Sequence, residues 1–288
     1  MRVRKAVLPV AGFGTRVLPA TKSIPKEMLP VVDRPAIQYV VDEAREAGIE
    51  HIVFVTGRNK GAIEDYFDQA YELETSLAKK NKTEILEELK SSILPAGAAS
   101  FVRQQAPLGL GHAIWCARDI IGREPFAILL PDVIVKSSPS CTAQMVEAFD
   151  KVGGNIVAVD PVPESRVSSY GVIAPKSRDG RLIEMTGMVE KPPREEAPSN
   201  LAITGRYILQ PEIFDLLENQ RTGAGGEIQL TDAMAKLMDM QSFHALEFDG
   251  IPYDCGTKLG YFEAVLAHAL DHPEIAEGAR ALVNKMAK

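Results

Sequence analysis

Short apolar runs alternate with helical stretches through the first 130 residues, and that alternation restricts the chain to few folds. Lys5–Val10, His51–Thr56, Ser100–Gln104 and Phe126–Leu130 read as strands. Pro35–Ala47, Ala62–Lys90 and Leu110–Ile121 between them carry helical periodicity. A β-α-β-α-β-α-β order implies an α/β fold: a doubly wound, mostly parallel mixed sheet joined by right-handed crossovers. The run Phe126-Ala127-Ile128-Leu129-Leu130 has no polar alternation, as expected of a central strand covered on both faces. Further on, Asn155–Asp160, Arg181–Val189, Leu201–Leu209 and Ser242–Phe248 look like strands, and Ile228–Met240 and Leu259–Leu270 like helices. Pro161 to Pro163 and Pro192-Pro193 punctuate this half without forming a linker, so residues 1–288 read as one domain whose halves meet near residue 135. Glu72–Lys90 reads as a charged amphipathic helix in a surface hairpin, with no evident chemistry.

Composition narrows the function. Across 288 residues, 32 Lys and Arg stand against 39 Asp and Glu, a net charge of −7. An acidic chain lacks the basic face of a general nucleic-acid binder, but a local basic cluster can still seat a small anion. Cys116, Cys141 and Cys255 are widely spaced, which suits free thiols in a reducing compartment better than a zinc site. Met1 to Lys5 is basic, yet the apolar run behind it is short and interrupted by Pro9, so it reads as a first strand and not a signal peptide. No run approaches the length of a membrane span, and a cytoplasmic location without a membrane partner is expected.

The sharpest local signal follows the first strand. Gly12-Phe13-Gly14-Thr15-Arg16 leads on to Lys22 and Pro25-Lys26. Glycines turn the backbone tightly and leave N–H groups free to approach phosphate oxygens. Arg16, Lys22 and Lys26 put three positive charges on this loop, opposed only by Glu27, which suggests a polyphosphate seat. Familiar nucleotide motifs fail on spacing. A dinucleotide fingerprint would want a third glycine where Val17 stands and a helix opening where Leu18-Pro19 stands. A Walker loop would need a Gly-Lys dipeptide, and none exists; nor does a Gly-x-Ser-x-Gly elbow.

The stretch Gly12 to Pro30, with its core Ala20-Thr21-Lys22-Ser23-Ile24-Pro25-Lys26-Glu27-Met28, resembles the signature loop of the sugar-nucleotide pyrophosphorylases. The core is similar in particular to that of the bacterial UTP–glucose-1-phosphate uridylyltransferases. Pro131-Asp132, Glu190-Lys191-Pro192 and Tyr253-Asp254-Cys255-Gly256-Thr257 extend the likeness over nearly the whole chain. The resemblance implies a Rossmann-like nucleotidyltransferase fold, with a nucleotide-binding half over about 1–135 and a smaller sugar-binding elaboration in about 136–288. It also implies Mg2+ as cofactor, UTP, glucose 1-phosphate, UDP-glucose and pyrophosphate as ligands, and a homo-oligomer, dimer or tetramer.

Residue roles follow partly from position and partly from the likeness. Asp132 stands just beyond an apolar strand, where open α/β sheets bind ligands; by itself an Asp there more commonly caps the following turn, and it is the resemblance that assigns it to the metal. Asp254 matches a second family carboxylate, although Cys255 replaces the more widespread Thr beside it. The resemblance places the base against Ala11, Gly12, Gln104 and the Gly109 backbone, with Gln105 the neighbour most easily confused with Gln104. Gly14 and Thr15 belong to the nucleotide loop, and Arg16 and Lys26 would hold its phosphates. Glu190 and Lys191, on residues alone a solvated charge pair, would take the sugar hydroxyls and the sugar phosphate. Gly171, in Ser169-Tyr170-Gly171, leaves room for a close approach by the sugar. His112 reads as a helix-start histidine with local hydrogen bonds. Gly225 to Asp232 suits capping and packing as well as sugar binding, and Met234–Met240 suits helix core or an oligomer face. The implied reaction is direct attack of the sugar phosphate on the α-phosphorus of UTP; the alternatives are a thymidylyl- or other sugar-nucleotide pyrophosphorylase, or a non-catalytic sugar-nucleotide-binding homologue.

Overall fold

The computed structural model describes residues 2–219, 222–223 and 226–287. In its first half the chain runs β1 (Lys5–Pro9), β2 (Pro30–Val31), β3 (Arg34–Pro35), α1 (Ala36–Glu46), β4 (His51–Thr56), α2 (Gly61–Phe67), α3 (Tyr71–Lys79) and α4 (Thr83–Ser92). It continues through β5 (Ala99–Arg103), α5 (Leu110–Trp115), α6 (Arg118–Ile121), β6 (Phe126–Leu129), β7 (Val133–Lys136) and α7 (Cys141–Val152). The second half adds β8 (Asn155–Pro161), β9 (Gly171–Asp179), β10 (Leu182–Glu190), β11 (Leu201–Leu209), α8 (Ile213–Glu218) and α9 (Leu230–Leu237). It closes with β12 (Phe243–Glu247), β13 (Ile251–Asp254), α10 (Lys258–Ala269) and α11 (Ala276–Met286).

One nine-stranded sheet takes the order β5-β4-β1-β6-β11-β8-β12-β10-β9. Its first four strands are parallel, as the alternation requires. The second half is mixed: β12 runs parallel to β8, while β11 lies antiparallel between β6 and β8 and so joins the halves. The antiparallel β9–β10 hairpin turns at Gly180, whose φ of +58° is cheap only for glycine.

Period-two alternation fills two cores. Val7, Val53, Val55, Phe126 and Ile128 face a cluster closed by α5, α8 and α9. Ala6, Leu8, Ile52, Phe54 and Leu129 face the other, closed by α1, α2 and α7. Helix α1 contributes Ile37, Val40, Val41 and Ala44 at i, i+3, i+4 and i+7, one buried stripe. The long helical stretch expected over Ala62–Lys90 is three helices. Asp68 is extended after α2, and Asn81 adopts φ +50° between α3 and α4, so the charged segment folds back as a hairpin of two helices. Met234 is core, whereas Met240 is exposed.

Beside the main sheet, β7 and β13 form an antiparallel two-stranded ribbon pairing Val133 with Asp254. Beneath it Arg206 of β11, fully buried, donates to both carboxylate oxygens of Glu43 on α1 at 2.9 and 2.8 Å. Its guanidinium also donates to the carbonyls of Leu130 and Val133 at 3.1 and 2.7 Å, on either side of Asp132. No helix among the described residues is long and apolar enough to cross a membrane.

Candidate active site

Ligands of open α/β sheets bind outside the carboxyl ends of the strands. There the ends of β1, β4 and β5 deliver Ala11, Gly57 and Gln104 side by side. A methyl group on Gly57 would stand 3.1 Å from the Ala11 carbonyl, and the Gln104 N–H donates to Thr56 at 2.8 Å. Gly12 is exposed, with open space where a side chain would be. Gly14 takes φ +65° and its carbonyl accepts from the Thr21 hydroxyl at 2.7 Å, which folds the glycine loop back on itself. Thr15 and Arg16 follow on a short 3-10 turn.

The expected site residues fall into two groups. Arg16, Asp132, Gly171, Glu190, Lys191 and Asp254 line one cavity of about 390 Å³. Ala11, Gly12, Gly14, Thr15, Lys26, Gln104 and Gly109 lie outside that lining, with Ala11 and Gln104 just beyond the ends of β1 and β5. Gln104 is half-buried and donates to the Gly109 carbonyl at 3.1 Å, whereas Gln105 is exposed. Lys22 is exposed and does not line the cavity.

Lys26 reaches Asp132, Nζ to Oδ2 at 2.6 Å. Burial disfavours both charges, but their attraction outweighs it: the ammonium is held above the ordinary lysine range and the carboxyl below its own. Asp254 goes the other way. Burial, and then the charge of Asp132, push its pKa up. The two carboxylates converge on Gly256, where a Cβ would meet Asp254 Oδ1 at 2.9 Å and Asp132 Oδ2 at 3.0 Å.

Elsewhere on the cavity lining Glu190 ends β10, in register with Gly171. The room that Gly171 leaves is taken by the Glu190 carboxylate, 3.2 Å from where a Cβ would be, so the glycine makes way for an acid. Glu190 accepts from the Thr231 hydroxyl at 2.7 Å, which ties the start of α9 to the cavity lining. Gly225, in the same segment, lies outside the described residues. Lys191 sits at φ +46°, uncommon for a residue with a Cβ, with its N–H on the Tyr170 carbonyl at 3.0 Å and its ammonium 3.2 Å from Glu190.

Several participants escape sequence reasoning. Asp160, Arg166, Tyr170 and Tyr207 also line the cavity. Asp160, near the end of β8, obeys the same strand-end logic as Asp132 and was within reach of it. Under the nucleotide loop, Lys60 donates to Glu27 at 2.8 Å, both buried. Nothing in the local sequence announces this pair.

A doubly wound sheet with a cationic loop, one carboxylate beyond its central strand and a second brought beside it by the ribbon suits a nucleotidyltransferase, and the chain belongs to the nucleotidyl transferase family, which matches residues 5–269. Within it, the UTP–glucose-1-phosphate uridylyltransferase of Bacillus subtilis is 51% identical over 276 residues, 96% of this chain and 94% of that one. A UTP-bound UGPase from Acinetobacter baumannii superposes with a TM-score of 0.91 at 47% identity, covering 98% of each chain. A UDP-glucose pyrophosphorylase complexed with UDP-glucose gives 0.86 at 45% identity, over 94% of this chain and all of that one. The likeness first carried by the signature loop thus extends over nearly the full length.

Enzymes of this family generally use a divalent metal, and the residues present fit one. Two hard carboxylate donors meet across a glycine, and the repulsion that raises the pKa of Asp254 is what a cation would relieve. Among the described residues no cluster of three or more His, Cys, Asp or Glu offers a complete protein cage, so substrate oxygens would complete the shell.

Proposed function

We propose that this enzyme transfers a uridylyl group from UTP to glucose 1-phosphate, giving UDP-glucose and pyrophosphate. The observation that carries the reading is one cavity lined by Arg16, Asp132 and Asp254 together with Glu190 and Lys191. The names of the relatives and the nucleotides in the solved structures choose uridylyl over thymidylyl transfer.

Each residue has a definite task. Ala11, Gly12, Gln104 and Gly109 receive the base, and Gly14 and Thr15 offer the loop backbone to the phosphates. Lys26, paired with Asp132 in the free enzyme, turns to the triphosphate when it binds, and with Arg16 steadies the charge that builds on departing pyrophosphate. Lys191 orients the sugar phosphate for in-line attack and Glu190 accepts from sugar hydroxyls. Asp132 and Asp254 would hold Mg2+, which when bound neutralises phosphate charge. The attacking phosphate is already ionised at neutral pH, so no general base is required. Cys255 is no nucleophile: burial, and then the charges of Asp132 and Asp254, push its thiol up to about 12.

Residues 1–288 act as one domain in this reading, since strands of both halves share one sheet. The enzyme works in the cytoplasm, as a homo-oligomer for which the exposed Leu282, Val283 and Met286 of α11 offer apolar surface. The test is pyrophosphate release from UTP with Mg2+. Release that depends on glucose 1-phosphate is expected; release without any sugar phosphate, or none with it, refutes the assignment.

A further inference from the structure

The Gln104 side chain makes two hydrogen bonds, and both use its nitrogen. Nε2 donates to the Gly109 carbonyl at 3.1 Å and lies 3.1 Å from Nδ1 of His112. Neither involves Oε1. A carbonyl oxygen can only accept, so the amide must turn its NH₂ toward Gly109, and the two protons of that NH₂ are then spent on Gly109 and His112. His112 Nδ1 must therefore be the acceptor, with the ring proton on Nε2.

Each partner is itself held. Gly109 takes φ +107°, and its carbonyl also accepts the Ala113 N–H at 3.1 Å. A side chain there would strike Glu227 Cβ and the Ile228 carbonyl oxygen, each at 2.8 Å. The His112 ring lies on α5, stacked on Trp115 with centroids 6.0 Å apart.

We propose that His112 is a positioning residue: it locks the Gln104 amide with its oxygen outward and so selects a base that presents a ring N–H. This rests on the reading that Gln104 meets the base. Uracil offers a donor at N3, which an outward carbonyl oxygen accepts. Cytosine has a lone pair at N3, which that oxygen repels. A flipped amide would reverse the choice, and flipping sets an oxygen against both the Gly109 carbonyl and Nδ1. Burial holds the His112 pKa below its ordinary value, in keeping with a neutral, accepting ring.

The experiment measures dissociation constants for UTP and for CTP with Mg2+ in the full chain, so it does not depend on turnover. Removing one of the two locks leaves Gly109 alone to orient the amide. His112→Phe, which keeps the stack on Trp115, should narrow the preference for UTP roughly three- to tenfold, the span of one net hydrogen bond. His112→Asn places an oxygen near the former Nδ1 and should keep the preference within about threefold. Gln104→Ala should narrow it at least as far as His112→Phe, and the double variant no further, because the two act as one unit. A merely structural role would weaken both nucleotides alike and leave their ratio unchanged. If His112→Phe does not fold, His112→Ala makes the same comparison. An unchanged ratio in the His112 variant with a narrowed one in Gln104→Ala overturns the lock alone. An unchanged ratio in Gln104→Ala overturns the base site and the lock with it.

Discussion

Arg206→Met tests the buried ion pair that supports the backbone around Asp132. The guanidinium is fully enclosed and serves Glu43, Leu130 and Val133. Methionine fills much of the same volume but donates nothing. Glu43 keeps its bonds from the Thr142 N–H and hydroxyl, yet its charge is left without a counter-ion in the core. Stranding a buried charge costs about 3–5 kcal/mol. For a chain of 288 residues that corresponds to a Tm lower by roughly 5–8 °C. Calorimetry on both proteins at equal concentration reads the shift. Adding Glu43→Gln to Arg206→Met removes the stranded charge, so the double variant should be more stable than the sum of the two single losses allows. A Tm within about 1 °C of the parent, or strictly additive losses, would refute the claim that the cost lies in an unpaired charge. Turnover should fall further than stability explains, because the carbonyls flanking Asp132 lose the donor that fixes them.

Other expectations follow from the same site. Asp132→Asn keeps the shape and removes the charge, so turnover should drop ~100-fold or more, and near-normal turnover at ordinary Mg2+ would sink its assignment. Lys191→Ala should raise KM for glucose 1-phosphate and lower kcat, while Lys26→Ala should chiefly impair use of the triphosphate; matching kinetic profiles would contradict the division. Burial, and then the charge of Glu247, raise the pKa of Asp160. Folding thus disfavours the ionised carboxylate, so the penalty is absent below the unfolded value near 3.9, grows as pH rises from there towards the folded value, and is complete above it. Asp160→Asn should therefore raise Tm at pH 7 and not at pH 3, and an equal gain at both would refute the electrostatic cause. Isotopically chiral α-phosphorus should emerge inverted, since direct displacement has one step at phosphorus; retention would demand a covalent intermediate.

The strands were legible because apolar runs and their periodicity are local properties. His51–Thr56 and Leu201–Leu209 lie at the residues expected. The place of Asp132 beyond a central strand was legible, while its role and those of Gln104 and Gly109 rest on the resemblance; the hydrogen bond between Gln104 and Gly109 appears only in the structure. The ion pairs were not. Glu27 meets Lys60 across 33 residues, and Glu43 meets Arg206 across 163, so each exists only once the sheet is assembled. Helix α7 stands where no element was expected, although Cys141, Met145, Ala148 and Phe149 follow a helical stripe. The ribbon of β7 and β13 is four residues a side and half-exposed, too short and mixed to carry a period. The left-handed turn at Lys191 is invisible in composition, since a lysine advertises no such backbone.

That ribbon has a consequence for how such an enzyme can be retailored. The chain leaves the nucleotide half through β7 and returns through β13, and the register of Val133 with Asp254 sets the second acid beside the first whatever lies between. Everything from 137 to 250 is thus, in topological terms, one long excursion between two clasped strands. Loops inside the clasp that leave β11 and its Arg206 in place can be lengthened, trimmed or exchanged without altering the spacing of Asp132 and Asp254. A graft of that excursion from a relative of different sugar preference, joined at Lys136 and Ile251 and retaining Arg206, should keep its acidic pair in register.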